Sequence, residues 1–408
     1  MKLRRLLALT LLLAACGGDA PDAGVVVTDS AGVRIVTHPP PSHEDAPRWR
    51  TAAAPTTRIG AVEGTPEQQL YQVRGATRMS DGRIAILNMG TREVRFYAPD
   101  GSYMGAFGRE GEGPGEFRLP SRLTRLGGDT LVVTGASLDR FSWFDSAGTF
   151  LSSRDVDVGR LMAVIPSTHG THGAEYVPGD RLLADVFEAG LGPEGQVHRM
   201  GSGRLSAAVD LSRVDTIFWH LGSEQVGGGG GPAYFGRTTW WAFGGDPVRF
   251  YQGDNAAYDI EGHAIDGGLE LRIRREGDGR PVHPDDLERW RSRDRARAEE
   301  RGGDWPQRTA RLHANLPEPA TMPTHGQLHV DTEGNLWVEE YRTPWEEARR
   351  YGVYAPDGAL LARAELPDGL HPLELGPDYV IGVRRDALDV EYVEVYHVRS
   401  VAWLASDW

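Results

Sequence analysis

An all-β chain built from a repeated four-strand unit is what this 408-residue sequence predicts, and three observations carry that expectation. The first is self-similarity at a fixed offset. Ile59 onward (IGAVEGTPEQQLYQVRGATRMSDGRIAI) and Phe107 onward (FGREGEGPGEFRLPSRLTRLGGDTLVV) lie 47 to 48 residues apart. Both run from an apolar–Gly pair, through a Gly/Pro/Glu loop, to a D-G or G-D turn and an apolar strand. The second is turn chemistry: 52 Gly and 26 Pro are spread along the chain, as many short strands require. The third is period-two alternation, as in Arg83-Ile84-Ala85-Ile86 and Glu391-Tyr392-Val393-Glu394-Val395.

After each turn come a second strand and then a third that ends in an aromatic residue and a tight turn. VRFYAPDG (Val94–Gly101) and FSWFDSAG (Phe141–Gly148) are such third strands, 47 apart, each followed by a short fourth strand. With Asp81 and Gly128 as the first two turns, further turn-plus-strand units start near Gly179-Asp180, Gly245-Asp246, Glu333-Gly334 and Pro377-Asp378, six starts in all. GVYAPDG (Gly352–Gly358) repeats the third-strand ending of the first unit. Four short strands per unit of about 45 residues define a β-propeller blade, so the expected fold is a six-bladed β-propeller. An open ring would leave two aggregation-prone edges. Thr57-Arg58-Ile59-Gly60 reads as a fourth strand lacking its own first three, so it is expected to complete the last unit, Leu373 to Arg399. Asp29–Thr37 and Val401–Trp408 are expected as extra strands or caps near that seam.

The run FG-x-x-G-x-G-P-G-E-F-x-x-P, then DG-x-I, then V-x-F-Y-x-x-DG resembles the NHL-repeat six-bladed β-propellers, and is most similar to their bacterial lipoprotein members. The resemblance covers Thr57 to Arg399, closely in the first two units and loosely in the third and fourth, which carry long insertions.

The glycine-rich stretch Gly108–Phe117 (GREGEGPGEF) is not a phosphate loop. Glu110, Glu112 and Glu116 would repel the anion that backbone N–H groups attract. The third glycine of a dinucleotide fingerprint falls on Glu116, and no lysine follows, Lys2 being the only one in the chain. The stretch is expected to connect the outer strand of one unit to the inner strand of the next.

Residues 1–15 read as an export signal. Lys2, Arg4 and Arg5 precede an apolar run, Leu6 to Ala15, too short to cross a membrane. Leu13-Ala14-Ala15-Cys16 resembles the bacterial lipobox, whose cysteine becomes the lipidated N-terminus, so Cys16 is the expected lipidation site. It is also the sole cysteine, which excludes an intrachain disulfide. Residues 16–28 are expected to form a tether and 29–408 the propeller, on the cell envelope and, by analogy with signals of this kind, at the outer membrane. Loss of the signal's three cations takes the net charge from −14 to −17, which disfavours nucleic acid as a partner.

Three insertions are expected, near 160–178, 219–241 and 280–325, the last holding a small helix in blade four. His169 and His172 in the first have metal-ligand chemistry but no evident third ligand. The second carries Gly227–Gly231 between aromatic residues, and reads either as a loop packing its aromatics into blade four or as a lid with Trp219, Tyr234 and Phe235 available for stacking. In the third, His283–Gly303 has helix start and stop signals, with six arginines and six acids that cancel between Asp285 and Arg301. Leu287 and Trp290 are its expected apolar foothold.

Candidate ligand-binding residues at the ends of second strands are Asn88, Glu339, Glu340, Tyr341, Arg384 and Arg385. The two arginines either neutralise the acidic pair or bind a polar ligand. No G-x-S-x-G, H-E-x-x-H, Cys/His dyad or Schiff-base lysine is present. The first functional reading is a lipid-anchored binding or scaffold module, taking a protein, peptide or glycan and no cofactor. The second is a metal-dependent hydrolase or lyase resembling propeller lactonases or amidating lyases, which would need Glu339, Asn88 and Asp139 or Asp185 to converge in the central channel.

Overall fold

The computed structural model describes residues 24–40, 46–135, 140–163, 170–188, 190, 192–228, 231–277 and 279–401. Cys16, the export signal and Asp139 lie outside them. The fold is mostly β, with its antiparallel sheets in a propeller-like arrangement. The first sheet comprises Val73–Arg78, Ile84–Asn88, Glu93–Tyr97 and Tyr103–Phe107. The second comprises Pro120–Arg125, Leu131–Gly135, Arg140–Phe144 and Phe150–Asp155, and the third Gly170–Val177, Arg181–Phe187, Gly201–Ala208 and Val214–Leu221. The fourth has a meander of Thr239–Gly244, Arg249–Asp254, Asp259–Ala264 and Leu269–Arg275, extended by two more strands to six. The remaining large sheet has nine strands. The large sheets among the described residues therefore number five and not the expected six, the one other sheet being a three-stranded ribbon. The reason is Arg48–Thr51, which pairs with Leu360–Leu366 on one side and Glu391–Val401 on the other and fuses two meanders into one sheet.

The six turns expected from D-G, G-D and related pairs each join a first strand to its second strand. Gly82, Gly128, Gly179, Gly245 and Gly334 all adopt positive φ there, which explains the residue chosen. Second strands are buried on both faces, and alternate residues enter different cores. Ile84 and Ile86 pack with Tyr379, Ile381, Val393 and Val395, while Ala85 and Leu87 pack with Leu131, Val133 and Phe144. Val132 serves a core with Leu182 and Ala184, and Leu183 one with Phe250. Tyr251 shares a core with Leu336 and Val338, and Trp337 one with Val380. Period two thus feeds neighbouring inter-sheet cores instead of one core and solvent.

Closure follows the expected register: Ile59 pairs with Val393 and Thr57 with Val395, so the start of the ring completes the sheet of its last strands. The segment before it behaves differently from expectation. Val26–Ser30 and Val33–His38 form a hairpin, so residues 26–28 are strand and not tether. The hairpin docks in parallel on Leu269–Arg275 of the fourth sheet, away from the seam. Val36 explains this, because it is 1% exposed inside the fourth sheet's core.

Gly108–Phe117 is the connector between the first and second sheets. Gly108 has φ +84°, and any side chain there would run into the Phe117 ring. Glu116 accepts from Gly113 N (2.9 Å) and Arg109 Nε (2.8 Å), so the acid that excludes phosphate holds the loop's own shape.

Candidate functional site

The first strands of the meanders face a channel of about 640 Å³. Ala76 and Thr77, Arg122 to Arg125, Glu175, Trp240 to Phe243, Gln327 to Val330 and Pro372 to Leu375 line it, so every meander contributes its first strand. A second cavity of about 440 Å³ shares Trp240 and Gln327 with the channel and forms its mouth. Glu339, Tyr341, Arg342, Arg349, Asn255 and Arg293 line that mouth.

Arg293 sits on α2 (Pro284–Arg301), which packs against α3 (Trp305–Asn315). The first is the expected helix, capped at His283 and stopped by Gly302. It follows the fourth meander and precedes the strand His325–Val330. The second helix is an addition to the expectation, although Asp304 at its N-cap and Pro306 in its first turn are ordinary start signals. Leu287 and Trp290 pack on Tyr234, Phe235, Leu316 and Met322, with Tyr341 at the edge. The Tyr234 and Trp290 rings meet edge-on at 5.0 Å.

That cluster corrects the lid reading. Tyr234 and Phe235 are 2% and 3% exposed and form the floor under α2 and α3, so neither is available for stacking. Nor do they pack into the fourth sheet. Trp219 is not part of that cluster and lies on the outer strand of the third sheet, its ring laid over Gly201 and Gly203. Residues 225–226 and 231–232 form a small ribbon with Val197–His198, and 239–244 are the first strand of the fourth sheet. In the 160–178 region, α1 (Val158–Ala163) and the strand Gly170–Val177 replace the expected loop, while His169 is outside the described residues.

Of the second-strand candidates, Glu339 and Tyr341 reach the mouth. Glu339 is 4% exposed and accepts from Arg349 Nη1 (2.9 Å), Arg342 Nε (3.2 Å) and Gln327 N (3.3 Å). Burial pushes the Tyr341 phenol up to about 12. Asn88 is a strut: it accepts from Tyr71 N (2.8 Å) and donates to Thr91 Oγ1 (2.9 Å). Asn255 repeats this with Thr238 N (2.7 Å), again seventeen residues upstream. Arg384 and Arg385 do not neutralise Glu339 and Glu340. Their partners lie on the adjacent strand: Arg384 Nε reaches Glu394 at 3.0 Å and Arg385 Nη2 reaches Glu391 at 2.6 Å. Glu340 pairs instead with Arg363 (2.9 Å).

The divalent metal implied by the second reading does not fit these residues. No group of three His, Cys, Asp or Glu among the described residues can hold a metal ion. Glu339 is held by two guanidinium groups, Asn88 by a backbone amide, and Asp185 lies against the buried Arg204. In the channel, Glu175 pairs with Arg122 (2.5 Å) and is raised by burial. Glu374 accepts from Arg78 N and Tyr379 Oη, both 2.8 Å, and from the Thr77 hydroxyl. The channel tryptophans were the signal that sequence reasoning missed: Trp240 and Trp241 looked like the end of a loop, not the start of a strand.

No family model matches the chain, and no curated protein matches its sequence. In fold it is similar to a putative exported protein from Bacteroides fragilis (11% identity, TM-score 0.45, covering 90% of this chain and 100% of that one). It is similar also to a member of the DUF4221 family from Bacteroides vulgatus (9%, 0.49, 86% and 99%). A third likeness is to a catalytically inactive virginiamycin B lyase from Staphylococcus aureus (10%, 0.36, 86% and 100%). Among the described residues no helix is long and apolar enough to cross a membrane.

Proposed function

We propose that the chain is a ligand- or protein-binding module of the cell envelope, held to the outer membrane by a lipid on Cys16 and binding through the channel mouth. The observation that carries the binding reading is the commitment of the carboxylates around the cavity. Glu339, Glu175 and Glu374 are each bonded to an arginine, a hydroxyl or a backbone amide. None is left as a free base or metal ligand, whereas the cavity itself is open and partly walled by aromatic rings. Binding asks for shape and satisfied polar groups; catalysis asks for a group with a perturbed and accessible proton.

We infer further that the ring has six units related to NHL repeats. Support comes from the inter-sheet cores, which follow one another from sheet to sheet and return, through Ile381 and Ile84, to the first. On this count the nine-stranded sheet is two blades joined by Arg48–Thr51.

The test is capture of partners from envelope extract by the mature protein, with and without Trp240→Ala, together with metal analysis. The reading expects capture that depends on Trp240 and melting unchanged by chelator. One tightly bound divalent ion per chain, lost in Glu339→Ala, would overturn it in favour of the metal-dependent enzyme.

A further inference from the structure

Taking the channel as the binding site, as proposed above, we propose that its ligand is a neutral saccharide of two or three units. Three features of the cavity point to that chemistry. The first is charge. Arg122 is paired with Glu175 at 2.5 Å and Arg125 with Asp129 at 3.3 Å. Glu374 is held by a phenol, a hydroxyl and an amide, and Asp331 accepts from the Trp337 indole at 3.0 Å. In the channel an anionic ligand would have to draw Arg122 or Arg125 from its carboxylate, leaving the buried Glu175 or Asp129 uncompensated, and a cationic one would have to displace donors that Glu374 and Asp331 already hold. An uncharged ligand meets no such cost.

The second feature is hydrogen-bonding capacity. Pairing uses only part of what these groups offer: a guanidinium has five donors and a carboxylate about four acceptor sites. A sugar hydroxyl both donates and accepts, so it bonds to either member of the Arg122–Glu175 pair without separating them. The third is the aromatic wall. Trp240, Trp241 and Phe243 run along the first strand of the fourth sheet, half-buried at the channel. The buried Arg204 guanidinium lies 4.0 Å from the Trp241 ring centre and fixes that ring in place. A pyranose carries apolar C–H faces and a polar rim, which matches an indole on one side and paired charges on the other. Trp240, common to channel and mouth, is positioned to hold one ring at the threshold. Cavities of about 640 and 440 Å³ lie within the range of about 300–1,000 Å³ usual for small-molecule sites.

Calorimetric titration of the mature protein in detergent tests this with cellobiose, maltotriose and diacetylchitobiose, against trigalacturonic acid and chitosan dimer as anionic and cationic comparators. At least one neutral sugar is expected to bind, with an affinity unchanged between about 0.05 and 0.5 M salt because no net charge is exchanged. Trp240→Ala is expected to weaken it at least tenfold, the order of one lost aromatic contact. Trp240→Phe guards against misfolding and is expected to keep most of the affinity. Saturable binding of charged sugars alone, falling steeply with salt, would overturn the saccharide while leaving the channel as a binding site. Failure of all five sugars, with envelope capture still dependent on Trp240, would do the same. Capture indifferent to Trp240 would sink the channel reading itself.

Discussion

The strands from Val73 to Asp155 and the cap over the channel mouth both bury aromatic side chains, but they hold them differently. In the first two sheets the aromatics sit between sheets: Phe107 lies 4.4 Å from Phe144, and Phe144 5.6 Å from Phe117, in a core that Leu87 and Leu131 complete. In the cap, Tyr234, Phe235 and Trp290 lie beneath two helices whose other faces are charged, with Arg291 donating to Glu318 (2.7 Å) and Arg295 to Glu288 (2.6 Å). The sheet cores therefore bind neighbours of the ring together, and a loss there is felt by the whole fold. The cap is a satellite with one apolar face, so it can open while the ring stays closed. The difference places the less deeply anchored packing beside the mouth.

The largest effect is expected from breaking a ring core. Trp337 is 0% exposed, packs on Trp49 and Tyr351, and donates to Asp331 at 3.0 Å. Trp337→Ala is expected to cost about 3–5 kcal/mol, read as a lower urea midpoint with the slope unchanged. A loss confined to local hydrogen exchange would contradict the contrast between ring and cap.

Next comes the mouth. Glu339→Ala leaves the Arg349 guanidinium, 5% exposed as a residue, without its carboxylate, and is expected to cost about 3 kcal/mol. Glu339→Gln keeps an acceptor and should recover part of this. Equal loss in both variants would mean that charge pairing is not what the mouth needs.

Acid sharpens the comparison from another side. His325 and His329 are both depressed from 6.5 to about 4, in each case chiefly by burial, and His329 lies on the channel wall. Unfolded, each would take up its proton near pH 6.5, but in the fold neither does until about pH 4. Between those values the unfolded chain binds more protons, so stability is full at neutral pH and falls as the pH drops through this window. Each histidine is expected to take away about 2 kcal/mol of stability by pH 5. Both belong to the ring and none to the cap's core, so urea midpoints at pH 7 and pH 5 should differ for the ring transition. A flat profile would mean that these imidazoles are already reached by water.

Much of the ring was legible because it is local and repeated. A turn that needs positive φ selects Gly82 or Gly334, and the second strand that follows must be apolar on both faces. Closure was legible from Thr57–Gly60 for the same reason, since a strand without companions needs a sheet that lacks one. What escaped was set by contacts distant in sequence. The hairpin at 26–38 is placed by Val36 entering a core over two hundred residues away. Arg384 and Arg385 read either as neutralising Glu339 and Glu340 or as binding a polar ligand, but antiparallel register sets Arg385 opposite Glu391 and Arg384 opposite Tyr392. For Tyr234 and Phe235, aromatics beside glycines read equally as lid or as core, and only the helices above them decide it.

The smallest expected effect marks the far end of the scale. Arg350 and Glu365 form a 3.1 Å pair on paired strands of the nine-stranded sheet, with side chains 61% and 57% exposed. Water screens both groups, and ordering two long side chains offsets much of the attraction, so Arg350→Ala is expected to change stability by about 0–1 kcal/mol. Arg349, its neighbour in sequence, points to the other face and holds the buried Glu339. Urea titration of Arg350→Ala beside Arg349→Ala compares an exposed pair with a buried one on the same strand, where Arg349 also bonds His371 Nδ1 at 3.0 Å. Comparable losses at the two positions would remove the reason for treating the mouth's charges as structural.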